Sequence, residues 1–287
     1  MTALAYIVCA LVWGTTWFAI RLCLQGYAPF LGIALRLTLA AVVLMTGCAL
    51  FVRPPRWPAR TAFALLGAGI LNATSFACIY QAERSITGGL AAVLFGTMPL
   101  MTAAVATVMG TEQMRVRALP GALAALAGVV LIYSHSLGSA SGTGVVLALG
   151  AVLASSIFTV IVKRAGATLH PLASSAMFIT SSATCAWIIT VVAGQSTLPA
   201  PLPTTPTLAI LYLALMGSVI VFVFYFTLLK RVSAFTATTM VFIEPIIALA
   251  IDHIWEREPL AASTYAGIVM TLLGVALTLW LTERKTA

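Results

Sequence analysis

Ten times along this chain an apolar run continues for close to twenty residues before charged or turn-forming residues interrupt it, and no other feature constrains the fold as strongly. A helix needs roughly 20 residues, at about 1.5 Å each, to cross about 30 Å of hydrocarbon. The runs lie near residues 3–24, 29–52, 61–82, 86–109, 116–134, 144–162, 171–193, 207–229, 233–252 and 260–281. In lipid an open-ended segment must satisfy its backbone N–H and C=O groups internally, so runs of this length predict helices. The breaks carry turn chemistry: RPPRWPAR at 53–60, HSLGSASGTG at 135–144 and GQSTLPAPLPTTP at 194–206. The expected fold class is an all-α polytopic membrane protein with ten transmembrane helices.

Charge supports this reading. Only 22 of 287 residues are Asp, Glu, Lys or Arg, too few to cover a water-facing surface. The net charge of +8 comes as pairs and triplets between apolar runs, which points to topology and to no nucleic-acid partner. Sorting Lys and Arg by alternate loops places eleven on one side (Arg53, Arg56, Arg60, Arg115, Arg117, Lys163, Arg164, Lys230, Arg231, Arg284, Lys285) against Arg21, Arg84 and Arg257 on the other. The positive-inside rule then predicts a multi-pass protein of the inner (cell) membrane with both termini cytoplasmic. The N-terminal run has no positive n-region, so it is expected to persist as the first span. Five cysteines sit singly within apolar runs with no C-x-x-C pair, which reads as small buried hydrophobes. No metal and no cofactor is expected.

The chain also repeats. At an offset of 146, Pro99 meets Pro245, Glu112 meets Glu258, Gly121 meets Gly267 and Gly128 meets Gly274; at 142, Pro29 meets Pro171 and Arg21 meets Lys163. Two five-helix halves are expected, 1–137 and 138–287, together forming one transport domain. Five is odd, so the second half enters from the opposite face, an inverted repeat that can alternate access to a central site.

Several of these segments carry a resemblance. LVWGTTWFAIR at 11–21, the P-x6-R of Pro29 to Arg36, TMPLMTAAVATVMGTEQ, FIEPIIALAIDHIWERE and the glycine-marked helices GALAALAGVVLIY and GIVMTLLGVALTLW resemble the EamA branch of the drug/metabolite transporter superfamily. The paired Pro-to-Glu stretches, 99–112 and 245–258, are the most specific part. The resemblance implies a ten-helix carrier that exports amino acids or other metabolites. Within the family, exporters of aromatic amino acids of the YddG type are the nearest in general character.

Ionisable groups at membrane depth are costly and mark function by default. Glu244 stands mid-span before Pro245, where the first half has Met98. It serves either a kinked helix, by bonding near the carbonyl that Pro245 frees, or a proton-coupling or substrate-amine site. Arg36, seven residues past Pro29, either snorkels outward or faces the cavity and holds a carboxylate. Trp13 and Trp17 share one face of the first helix, as Asn72, Phe76 and Tyr80 share one of the third. Ser155, Ser156 and Thr159 occupy the sixth helix where its repeat mate has tryptophans, and Tyr225 lies in the eighth. With Met98, these residues are expected to line a midplane cavity. Gly121, Gly128, Gly267 and Gly274 are expected to permit close helix packing.

The expected partners are a small-molecule substrate and the lipid bilayer, with the protein acting as a monomer. Neither H-E-x-x-H nor G-x-S-x-G occurs, and three scattered histidines form no catalytic set, which argues against an enzyme. No filter sequence or series of charges suggests a channel. The sequence therefore points to an alternating-access exporter of small metabolites, amino acids including aromatic ones foremost, with cationic drugs, purines or sugars as alternatives.

Overall fold

The computed structural model describes residues 1–52, 58–86, 88–113, 116–134, 141–165, 169–256 and 262–283. Arg53, Arg56, Arg115, His135, Arg257, Glu258, Arg284, Lys285 and the expected repeat boundary at 137/138 lie outside the described residues.

Among the described residues there are thirteen α-helices and no strand. The first three spans are α1 (Thr2–Leu24), α2 (Pro29–Phe51) and α3 (Ala59–Ala82). The fourth is split into α4 (Gly88–Phe95) and α5 (Met98–Val108), and the fifth is a 3-10 turn, Val116–Ala118, running into α6 (Leu119–Ile132). The sixth and seventh are α7 (Gly142–Ala165) and α8 (Pro171–Val192). The eighth joins α9 (Thr204–Ala214) to α10 (Val221–Leu229) through a π-helix, Leu215–Ile220. The ninth is α11 (Ala234–Thr238), a 3-10 turn over Thr239–Phe242, and α12 (Glu244–Glu256); the tenth is α13 (Ala262–Glu283). Nine of these stretches are long and apolar enough to cross a membrane, and Val116–Ile132 is a shorter apolar tenth.

Local chemistry sets the ends. Pro29 and Pro171 open α2 and α8, where a missing N–H costs nothing. The His170 Nδ1 accepts the amide of Leu172, and the Ser233 hydroxyl accepts that of Thr236. The two mid-span breaks fall where the repeat predicts them. Met98–Pro99 and Glu244–Pro245 each start a fresh helix, because a proline in its first turn cannot donate to the preceding one.

The packing is two-fold symmetric. A Cβ on Gly121 would sit 2.6 Å from the backbone nitrogen of Thr278, and one on Gly267 would sit 2.7 Å from the Gly128 carbonyl oxygen. Position 121 therefore packs near 274 and position 128 near 267, so α6 and α13 are antiparallel and exchange equivalent contacts at the repeat offset. The pair α2 and α8 behaves alike. Thr190 donates to the Phe30 carbonyl at 2.9 Å, Trp187 Nε1 to Thr38 Oγ1 at 2.8 Å, and Leu172 lies beside Gly47. Likewise α1 packs on α12 as α7 packs on α5. The halves are inverted repeats, and the glycine stripes give α6 and α13 their close approach.

Candidate functional site

Around the two-fold axis the helices leave a cavity of about 90 Å³. On that measure one water needs ~10–15 Å³, so the space accommodates several non-hydrogen atoms. Residues of both halves line it, often as repeat mates: Trp13 with Ser155, Phe76 with Phe222, Ile79 with Tyr225, Met98 with Glu244.

One wall is aromatic. The Trp13 ring lies 5.1 Å from Tyr225 and 5.7 Å from Phe222, edge on, and Trp17 meets Phe95 at 5.5 Å. Such pairs contribute about 0.5–1.5 kcal/mol each beyond their buried area, so the wall is firm as well as apolar. These contacts tie α1 to α10 and to the end of α4, the elements on either side of the axis.

Glu244 opens α12 at the second break, at the positive end of the helix dipole, where the Ile246 and Ile247 amides both donate to the Ile243 carbonyl at 3.1 and 3.2 Å. It is 5% exposed and lines the cavity. Its hydrogen-bond partner among the described residues is the indole N–H of Trp17, which donates to Oε2 at a long 3.4 Å. The carboxyl thus faces across helices, and it makes no bond to the carbonyl that Pro245 frees.

Arg36 is 1% exposed and does not snorkel. Its Nε donates to Ser218 Oγ at 2.9 Å, its Nη2 to the Gly217 carbonyl at 2.9 Å and its Nη1 to the Tyr80 hydroxyl at 3.4 Å. The guanidinium also lies over the Phe76 ring, 4.6 Å from its centroid. Among the described residues no carboxylate pairs with it.

The remaining polar candidates divide. Asn72 lines the cavity and donates to Ser182 at 3.1 Å, and Ser155 lines it while sharing a 2.7 Å bond with Ser75. Tyr80, Ser156 and Thr159, expected in the lining, are not part of it. Tyr80 backs Arg36, Ser156 accepts from Thr102 at 3.1 Å, and Thr159 holds the Tyr225 hydroxyl at 2.8 Å. Ser156 points from α7 toward α5, whereas Thr159 lies on the Ser155 face one turn further along, where it is occupied by the Tyr225 hydroxyl. The lining also includes Thr16, Ile20, Ser75, Ile79, Phe95, Phe158, Phe222 and Val241. Phe222 and Ile79 were accessible to sequence reasoning as repeat mates of Phe76 and Tyr225, whereas Thr16 and Ser75 carried no signal apart from facing inward.

An inverted ten-span bundle with a polar-and-aromatic cavity on its axis is an architecture of membrane transporters. Comparison with known proteins agrees. The EamA-like transporter family matches residues 1–134 and 142–280, and the chain belongs to that family of membrane transporters. It is 26% identical over 277 residues to an inner membrane transporter of Escherichia coli K12, YedA, described as uncharacterized, covering 93% of this chain and 87% of that one. It is also 26% identical over 277 residues to a probable terminal-alkyne amino-acid exporter of Streptantibioticus cattleyicolor, covering 95% and 91%. A solved crystal structure shares the fold with a TM-score of 0.81 at 19% identity, over 99% of this chain and 98% of that one.

Proposed function

We propose that this transporter exports small metabolites by alternating access, and that amino acids, aromatic ones included, are its main cargo. The carrying observation is that one aromatic-walled cavity holds both the Arg36 guanidinium and the Glu244 carboxyl. A zwitterion needs an anion-binding and a cation-binding group together, and an apolar side chain needs rings to lie on. The name of the S. cattleyicolor relative, a probable amino-acid exporter, supports the cargo class.

In this reading the halves 1–137 and 138–287 form one transport domain, the protein works as a monomer in the inner membrane, and both termini are cytoplasmic. The test is efflux from liposomes containing the purified protein, loaded in turn with labelled phenylalanine, a purine, a quaternary ammonium cation and a hexose. Phenylalanine leaving several-fold faster than from protein-free liposomes is the expected result. Efflux confined to any of the other three would replace the cargo assignment.

A further inference from the structure

We propose that the π-helix at Leu215–Ile220 is a mount for Arg36, with Ser218 and the Gly217 carbonyl positioning the guanidinium to bind the carboxylate of the transported solute. The inference deepens the reading of the cavity as a solute site and rests on it.

The repeat supplies an internal control. At the offset of 142 the mate of Arg36 is Phe178, and at 146 the mates of Phe76 and Tyr80 are Phe222 and Phe226. Those three phenylalanines form a closed cluster, with Phe178 5.2 Å from Phe222 and 5.3 Å from Phe226. The fold therefore fills this packing position with hydrocarbon in one half. In the other half it buries a guanidinium, which packing does not require and desolvation opposes.

The backbone departs from symmetry at the same place. The third span, Ala59–Ala82, is continuous α-helix, while its mate, the eighth, widens into a π-helix against Arg36. Such π-bulges often occur at functional sites. Here Ser218 Oγ accepts from Nε and itself donates to the Leu213 carbonyl at 3.0 Å, which fixes the hydroxyl's direction. The repeat mate of Ser218 is Asn72, whose amide turns away to Ser182. Gly217 gives Arg36 and Thr16 room for close approach: a Cβ there would lie 2.9 Å from Thr16 Cγ2 and 3.2 Å from Arg36 Nη2.

Donor arithmetic identifies the ligand. A guanidinium has five N–H groups. Ser218, Gly217 and Tyr80 take three, leaving one on each terminal nitrogen without a partner among the described residues. One open N–H on each terminal nitrogen of a buried cation that lines a cavity matches a carboxylate held by both oxygens. The Glu244 carboxyl in the same lining disfavours a dianion such as phosphate.

The test measures binding to the full-length protein in detergent by titration calorimetry, with phenylacetate and phenylacetamide as probes. Wild type is expected to bind the acid at least about tenfold more tightly than the amide, the scale of hydrogen bonds to a charged group. Ser218→Ala should weaken acid binding about tenfold and leave amide binding unchanged, whereas Ser218→Thr, which keeps the hydroxyl, should restore the preference. Equal weakening of both probes by Ser218→Ala, or no acid preference in wild type, would overturn the proposal. Acid-selective binding without phenylalanine efflux would uphold the mount and overturn the cargo assignment.

Discussion

At the scale of single residues, the charged pair dominates the account. Glu244→Gln keeps shape and the Trp17 contact but removes the carboxylate. If Glu244 meets the solute ammonium or a coupling proton, phenylalanine efflux should fall at least about tenfold, the loss of one charge-assisted contact. Unchanged efflux with unchanged pH dependence would reduce Glu244 to a helix-start residue. Trp13→Ala removes a ring that touches both Phe222 and Tyr225, and should raise half-saturating phenylalanine concentration about tenfold, from the lost aromatic contacts. Efflux kinetics across a concentration series decide it. Both charged residues were legible in the sequence, because ionisable groups inside apolar runs announce themselves. The surroundings of Arg36 were not, since snorkelling and cavity-facing differ only in what lies across the helix interface, here Gly217 and Ser218 from 181 and 182 residues away in the chain.

At the scale of elements, the contact between α6 and α13 is the most sequence-determined feature of the fold. Its glycines are visible as a pattern, and the structure shows backbone on the far side of each one. A Cβ on Gly121 would meet the Thr278 nitrogen at 2.6 Å, and no side-chain rotation relieves a clash with backbone. Gly121→Val should cost about 1–3 kcal/mol and lower the melting temperature in detergent by several degrees. Gly67→Ala, whose added Cβ meets nothing within 4 Å, should leave it unchanged or raise it slightly, since alanine is the better helix former, and it controls for generic helix effects. The π-helix could not be read beforehand. It is a register change between Ala214 and Val221, and its one glycine, Gly217, has Leu71 as its repeat mate, so it left no mark in the pattern of matched prolines and glycines.

At the scale of the whole molecule, one end of the bundle is fastened by polar contacts. The Glu112 carboxylate accepts the Ala234 amide at 2.9 and 3.0 Å, Lys163 Nζ donates to the carbonyls of Leu229 and Val232 at 2.6 and 2.7 Å, and Lys230 Nζ donates to Leu169 at 2.8 Å. These bonds tie the ends of α5 and α7 to the turn between α10 and α11, and Met1 lies at the same end beside Arg231. An alternating carrier must release such a fastening to open there. Glu112→Gln, which weakens a charge-assisted bond to a neutral one, should increase access to the cavity from that end. The central claim is that one cavity between inverted halves serves both faces. The most direct measurement places Ser155→Cys in a background whose five cysteines are changed to alanine, then labels oriented vesicles with a membrane-impermeant thiol reagent from each side. Labelling from either side, slowed by phenylalanine in both cases, is the predicted result; labelling from one side alone under all conditions would contradict the account.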